Sequence, residues 1–229
     1  MVVVKLLGRS IGYSALCNRL GLLWNSTSDF SVIDLENNYF LVRFKSKEDV
    51  DFALSQGPWT IMEHYLIVRP WTQHFDNLKE ECDSVIAWIR LPGMTLYYYH
   101  KCILWMIGQI VGKVFWIDYN TESMTRGRIE RIAVEVTLSN PLVSQFLLDG
   151  KVQKVQYENL PNICFGCGKC HHSCESCPNR VMRNETVGEK GFGGEKTNTE
   201  IVPETGVRRN ILNIPKFRPW MVVSRKGKP

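Results

Sequence analysis

Three observations predict an α+β chain: short runs that alternate apolar and β-branched residues, helically spaced apolar residues between them, and a cysteine-rich cluster after the last run. In detail, the prediction is two tandem ferredoxin-like βαββ(α)β units at 1–71 and 84–160, joined by a linker at 72–83. A small knuckle at 161–179 and a flexible tail at 180–229, basic at its end, complete the chain. With 229 residues, 44% of them apolar and 11% aromatic, there is enough apolar material for one sizeable core or two small ones.

Met1 to Gly8 reads as a short apolar strand, and Gly12 to Trp24 carries Leu16, Leu20, Leu23 and Trp24 at helical spacing. Two β-rich runs, Phe30 to Leu35 and Tyr39 to Phe44, are joined by Glu36-Asn37-Asn38, a hairpin signal. Ser46 is a candidate N-cap for a helix that carries Val50, Ala53 and Leu54 and ends at Gly57-Pro58. A strand over His64 to Trp71 completes βαββαβ, the split βαβ arrangement.

That order is also the order of the RNA-recognition motif, in which aromatics on the central strands stack bases. Tyr39 and Phe44 fall in register with its third-strand motif, whereas Leu41 stands where a stacking aromatic is expected.

Residues 72–83 are polar and acidic, as a linker would be. After them, Ser84 to Leu91 is strand-like, Tyr97 to Val111 helical, and Val114 to Tyr119 and Ile129 to Leu138 strand-like. Leu142 to Leu148 reads as a weak helix ended by Asp149-Gly150, and Lys151 to Tyr157 as a last strand. In the polar loop before Ile129, Arg126 and Arg128 either neutralise phosphates or belong to an ordinary solvated loop.

The net charge of +5 is compatible with a nucleic-acid partner without requiring one. No run approaches the roughly eighteen apolar residues of a membrane span, and Met1-Val2-Val3-Val4 is too short for a secretory core. The expectation is an intracellular protein, nuclear or cytoplasmic, that is neither secreted nor membrane-bound. Beyond residue 179 the composition turns to Gly, Asn, Thr and Glu, and from Val207 onward cations interleave with Phe217 and Trp220. Such a tail suits single-strand binding, solubilisation or localisation equally.

The stretch with the most specific chemistry is Cys164-x2-Cys167-x4-His172-x4-Cys177. Three thiolates and one imidazole make the closed tetrahedral set of structural Zn²⁺, so one zinc per chain is expected. So short a segment has no core of its own, and without zinc it is expected to unfold. Cys170, His171 and Cys174 are surplus donors. Pairing Cys164-x2-Cys167 with Cys174-x2-Cys177 leaves a gap far shorter than a zinc ribbon's, and a disulfide cluster fits poorly with a chain lacking a secretory signal.

The spacing resembles the CCHC zinc knuckle of retroviral nucleocapsid type, with an aromatic after the first Cys (Phe165) and Gly after the second (Gly168). His171 stands where that family has a second Gly, a position that calls for positive φ. The resemblance implies that Phe165 stacks an unpaired base, with Lys169 and Arg180 near phosphates. A longer series of blocks, Lys5-Leu6-Leu7-Gly8, Tyr39 to Phe44, Gly57-Pro58-Trp59, Trp88 to Gly93, Arg126-Gly127-Arg128 and Tyr157 to Pro161, is similar to a plant domain of unknown function. That domain precedes a CCHC knuckle in proteins derived from LINE-type retrotransposons, which implies zinc-dependent binding of single-stranded RNA or DNA.

The chain carries no H-x-E with P-C-x-x-C, no H-E-x-x-H and no Gly-rich phosphate loop, and four protein ligands leave zinc no open position. The expectation is therefore no enzyme and no small-molecule substrate. Non-catalytic nucleic-acid binding or packaging leads. A protein-interaction scaffold with a purely structural knuckle is the alternative, and self-association is left open.

Overall fold

The computed structural model describes residues 1–25, 29–76, 83–118, 131–178 and 217–223. At the centre of the first sheet lies β1 (Val2–Leu6), whose Val2, Val4 and Leu6 face a helical layer while Val3 and Lys5 face the opposite side. Helix α1 (Tyr13–Trp24) presents Leu16, Leu20 and Trp24, spaced i, i+4, i+8, to that sheet. Strands β2 (Phe30–Asp34) and β3 (Tyr39–Phe44) form the expected hairpin, its turn taken by Asn37 and Asn38 at positive φ. Ser46 caps α2 (Lys47–Ser55) by accepting from the Glu48 N–H at 3.1 Å.

Where one closing strand is expected, the chain makes two, β4 (Trp59–Ile61) and β5 (His64–Pro70). Met62 and Glu63, both at positive φ, form the two-residue turn between them. The sheet order is β2-β3-β1-β5-β4, so the four strands β2-β3-β1-β5 follow the split βαβ plan and β4 is an added edge. All of its pairings are antiparallel.

The second sheet contains β6 (Ser84–Arg90), β7 (Val114–Ile117), β8 (Arg131–Thr137) and β11 (Gln156–Tyr157), ordered β11-β6-β8-β7. Helix α3 (Lys101–Val111) packs on it through Leu104, Ile107 and Gly108. A Cβ on Gly108 would lie 2.6 Å from Val114, so this glycine permits the close approach of helix and strand. The expected helical start at Tyr97 is instead a short 3₁₀ turn over Leu96–Tyr98, and Cys102 is exposed on α3.

The weak helix expected over Leu142–Leu148 is a correction. Residues Gln145–Leu148 are β9, paired antiparallel with β10 (Lys151–Lys154). Asp149 and Gly150, at φ 47° and 76°, make the tight hairpin turn that Asp-Gly favours. The single last strand expected from Lys151 is accordingly split, with β10 serving the hairpin and β11 serving the sheet.

Beside the core between the first sheet and its helices, a second core is shared by the two halves. Leu7, just after β1, and Tyr65 and Ile67 of β5 belong to it with Val85, Ile89, Leu104 and Val134 of the second half. The Tyr65 hydroxyl, fully buried, accepts the Trp88 N–H at 2.8 Å, and the Trp116 indole donates to the Ser55 carbonyl at 3.2 Å. Burial, the larger influence, raises the Tyr65 pKa, and the Trp88 N–H acts against it.

Tyr39 is equally enclosed: Phe75 lies edge-on at 5.3 Å and Lys5 Nζ sits 4.2 Å from its ring centre. Phe44 points to the opposite face and packs on Trp24 at 5.2 Å. The register match to a stacking motif therefore leaves no open aromatic platform on β3.

Replacing Tyr65 with Phe should strand the buried Trp88 N–H and cost about 1–3 kcal/mol, read from urea unfolding. A loss below ~0.5 kcal/mol would show that the hydroxyl does not hold the two halves together.

Candidate metal centre and nucleic-acid interface

The approach to the knuckle is built around a buried carboxylate. Glu158 accepts from the Arg90 Nε–H and from Arg131 at 2.8 Å, and its own N–H donates to the Trp88 carbonyl at 3.0 Å. Arg131 lies over the Trp88 ring at 4.7 Å and 3.9 Å from Asp118. Glu158 is 5% exposed, so the ion pairs are shielded and the chain leaves the sheet at a fixed angle.

Leu160 and Ile163 are buried next, and Gly8 lies so close that a Cβ there would be 2.7 Å from the Pro161 Cβ. Within the knuckle, the Gly168 N–H donates to the Cys164 carbonyl at 2.7 Å and the Cys164 N–H to the Lys169 carbonyl at 2.8 Å. This pair of bonds closes the loop that brings Cys164 and Cys167 to one side. The donor atoms of Cys164, Cys167, His172 and Cys177 then lie within 4.8 Å of one another, with Cys167 Sγ 3.2 Å from His172 Nε2. These four residues could hold a metal ion, and their softness and number suit a tetrahedral thiolate site.

Electrostatics favour the thiolate at Cys164. Burial pushes its pKa up, but the Cys167 and Gly166 N–H groups and the Cys177 and Cys167 thiols outweigh it and bring the value to about 6. Cys170 behaves oppositely. Burial, aided by the Cys167 charge, raises it to about 11. It belongs to the shared core, and its N–H reaches the Leu138 carbonyl at 3.4 Å.

His171 adopts φ 75°, the conformation expected of a Gly at that position, and is exposed. Among the surplus donors, Cys174 is exposed, with its Sγ 3.9 Å from Cys164 Sγ.

Two expectations about this segment need revision. The knuckle does not lack a core, because Ile163, Cys164, Cys170 and Cys177 are buried and the Leu142 N–H donates to the Gly168 carbonyl at 2.9 Å. The tail is not free throughout, because residues 217–223 dock on the knuckle and second sheet. Phe217 lies against Gly168, where a Cβ would come within 2.3 Å of its ring, and Met221 is fully buried. Val222 bridges Tyr157 in parallel, and the Val223 N–H donates to the Tyr157 carbonyl at 3.0 Å. An apolar run, Trp220-Met221-Val222-Val223, was the available signal for this docking.

Of the expected nucleic-acid contacts, Phe165 and Lys169 are half-buried on the knuckle, Phe165 packing against the shared core. Arg126, Arg128 and Arg180 lie outside the described residues.

Residues 1–78 match the family model described as Domain of unknown function (DUF4283). The chain is also similar to the uncharacterized protein At4g02000 of Arabidopsis thaliana, with 23% identity over 141 residues. That match covers 58% of this chain and 44% of the relative, so the chain spans less than half of the relative's length. The family match supports a domain of unknown function over residues 1–78. Among solved structures, the first two RRM domains of yeast poly(U) binding protein (Pub1) match at 13% identity, covering 68% of this chain and 97% of that one. The TM-score is 0.25, which does not establish a common fold. Among the described residues, no helix is long and apolar enough to cross a membrane.

With its folded pKa below the ordinary value for a thiol, Cys164 binds fewer protons when folded than when unfolded. The stability it contributes to the metal-free protein is present above the unfolded value and lost as pH falls through about 6. Ultraviolet thiolate absorbance of metal-free protein should therefore show a step near pH 6, absent in Cys164→Ser. A first thiol step above pH 8 would contradict this environment.

Proposed function

We propose that the protein binds single-stranded RNA or DNA without catalysing a reaction, through a zinc-held CCHC knuckle carried on two tandem RRM-like units, and that it derives from a LINE-type retrotransposon. The observation that carries the reading is the convergence of Cys164, Cys167, His172 and Cys177 within 4.8 Å, with Phe165 next to the first of them. Zinc, when bound by these four residues, would hold the loop together. The chain's own residues do the rest: Phe165 offers a ring for an unpaired base, and Lys169 a cation for the adjoining phosphate. The common fourth-first-third-second strand order of the two sheets supports reading them as copies of one plan. In the second copy, the β9–β10 hairpin stands where the second helix would be.

The enclosure of Tyr39 favours a second reading, a protein-interaction scaffold whose knuckle is purely structural. The two readings differ in what the loaded protein does with a single strand.

Purified protein should contain one zinc per chain, lost in Cys164→Ser and His172→Ala. Single-strand affinity should fall steeply with salt, and Phe165→Ala should weaken it about tenfold with zinc still bound. Full zinc loading with no single-strand binding at low salt would favour the scaffold.

A further inference from the structure

The docked segment 217–223 does more than cover apolar surface. It runs beside the knuckle and places Phe217 on Gly168, the residue next to Lys169. Its short 3₁₀ turn, Pro219–Met221, is closed by the Val222 N–H donating to the Pro219 carbonyl at 3.2 Å. Met221 is anchored inside the shared core, so its neighbour Trp220 is held at the surface, half-buried. Lys154 Nζ of β10 sits 5.2 Å from the Trp220 ring centre, and Arg218 and Lys154 are exposed.

The docked segment thus sets Phe217 beside Gly168 and its neighbour Lys169, and Trp220 beside Lys154, with exposed Arg218 between the two rings in the chain. None of these three cations has a carboxylate partner among the described residues. Unpaired cations interleaved with held aromatic rings are the chemistry that takes a phosphodiester strand with unstacked bases.

From this we infer that residues 217–223 supply part of the nucleic-acid site: Trp220, Arg218 and Lys154 extend the knuckle's contact along the same single strand, so that the knuckle and the docked segment bind as one surface. The inference rests on the reading of the knuckle as a single-strand site. It adds a second stacking position and two phosphate contacts contributed by residues outside the knuckle. An acidic protein partner for the same cations is a rival to be tested.

The test uses the full zinc-loaded chain and a fluorescently labelled single-stranded RNA of mixed sequence, titrated at several salt concentrations. Lys154→Glu with Arg218→Glu should weaken binding at least about tenfold and flatten the salt dependence, since fewer counterions are released. Arg9→Glu with Arg19→Glu, the same charge change at exposed positions on the first unit, should weaken binding less than about threefold. Trp220→Leu should weaken binding about fivefold and Trp220→Phe should recover most of the loss, because the ring and not the packing is what a base needs. Zinc content and far-ultraviolet circular dichroism should match the parent in each variant.

The inference is overturned if the Lys154/Arg218 variant binds within about threefold of the parent, or if the Arg9/Arg19 variant loses as much. Loss in Phe165→Ala with no loss in the Lys154/Arg218 and Trp220→Leu variants would sink this extension and leave the knuckle reading standing. No binding by the parent protein at all would remove both, as would capture of polyglutamate in preference to RNA.

Discussion

Tyr157 and Glu158 are the joint on which the second half of the molecule depends. Tyr157 pairs with Ile89 on one side, meets Val222 on the other, and donates its hydroxyl to the Val143 carbonyl at 2.8 Å. The next residue places a buried carboxylate between the partly exposed Arg90 and Arg131. A buried acid is costly to desolvate, and two guanidinium partners offset that cost only if all three groups hold their positions. Deleting Glu158 would leave Arg90 and Arg131 without the carboxylate they share. The geometry is therefore demanding, and it fixes where the chain leaves the sheet for the knuckle.

From that joint the knuckle inherits both orientation and packing. Cys170 faces inward and is kept protonated by burial, while Cys164 faces the site and is drawn toward thiolate by N–H groups of its own loop. The same short loop thus divides its thiols into one that packs and others that can bind a metal. Docking of 217–223 over Gly168 adds a further constraint, since Phe217 occupies the space a side chain would need there. Metal-site geometry and tail position are coupled through one glycine.

Much of this was legible from the sequence because the signals were local. The first five elements follow from helical spacing at Leu16, Leu20 and Trp24, from Asn37-Asn38 between two β-rich runs, and from Ser46 before α2. The ligand set follows from spacing alone, and the positive φ demanded at His171 was readable from the glycine it replaces. What was misread depended on tertiary partners. Leu142 to Leu148 has mixed periodicity, and Asp149-Gly150 suits a helix stop as well as the two-residue hairpin turn it makes. The apolar run around Met221 signals burial, but the pocket that receives it is formed by residues far earlier in the chain, and no local pattern identifies it. Tyr39 matched a stacking motif in register, yet Phe75 and Lys5 enclose it.

The central claim is that metal, knuckle and single-strand binding are one function. The most direct measurement is a titration of single-stranded RNA against the full chain, before and after removal of metal with a chelator and again after zinc is restored. Saturable binding that is lost with the metal and regained with zinc is the predicted result. Binding of equal strength with and without metal, or none in either state, would contradict it.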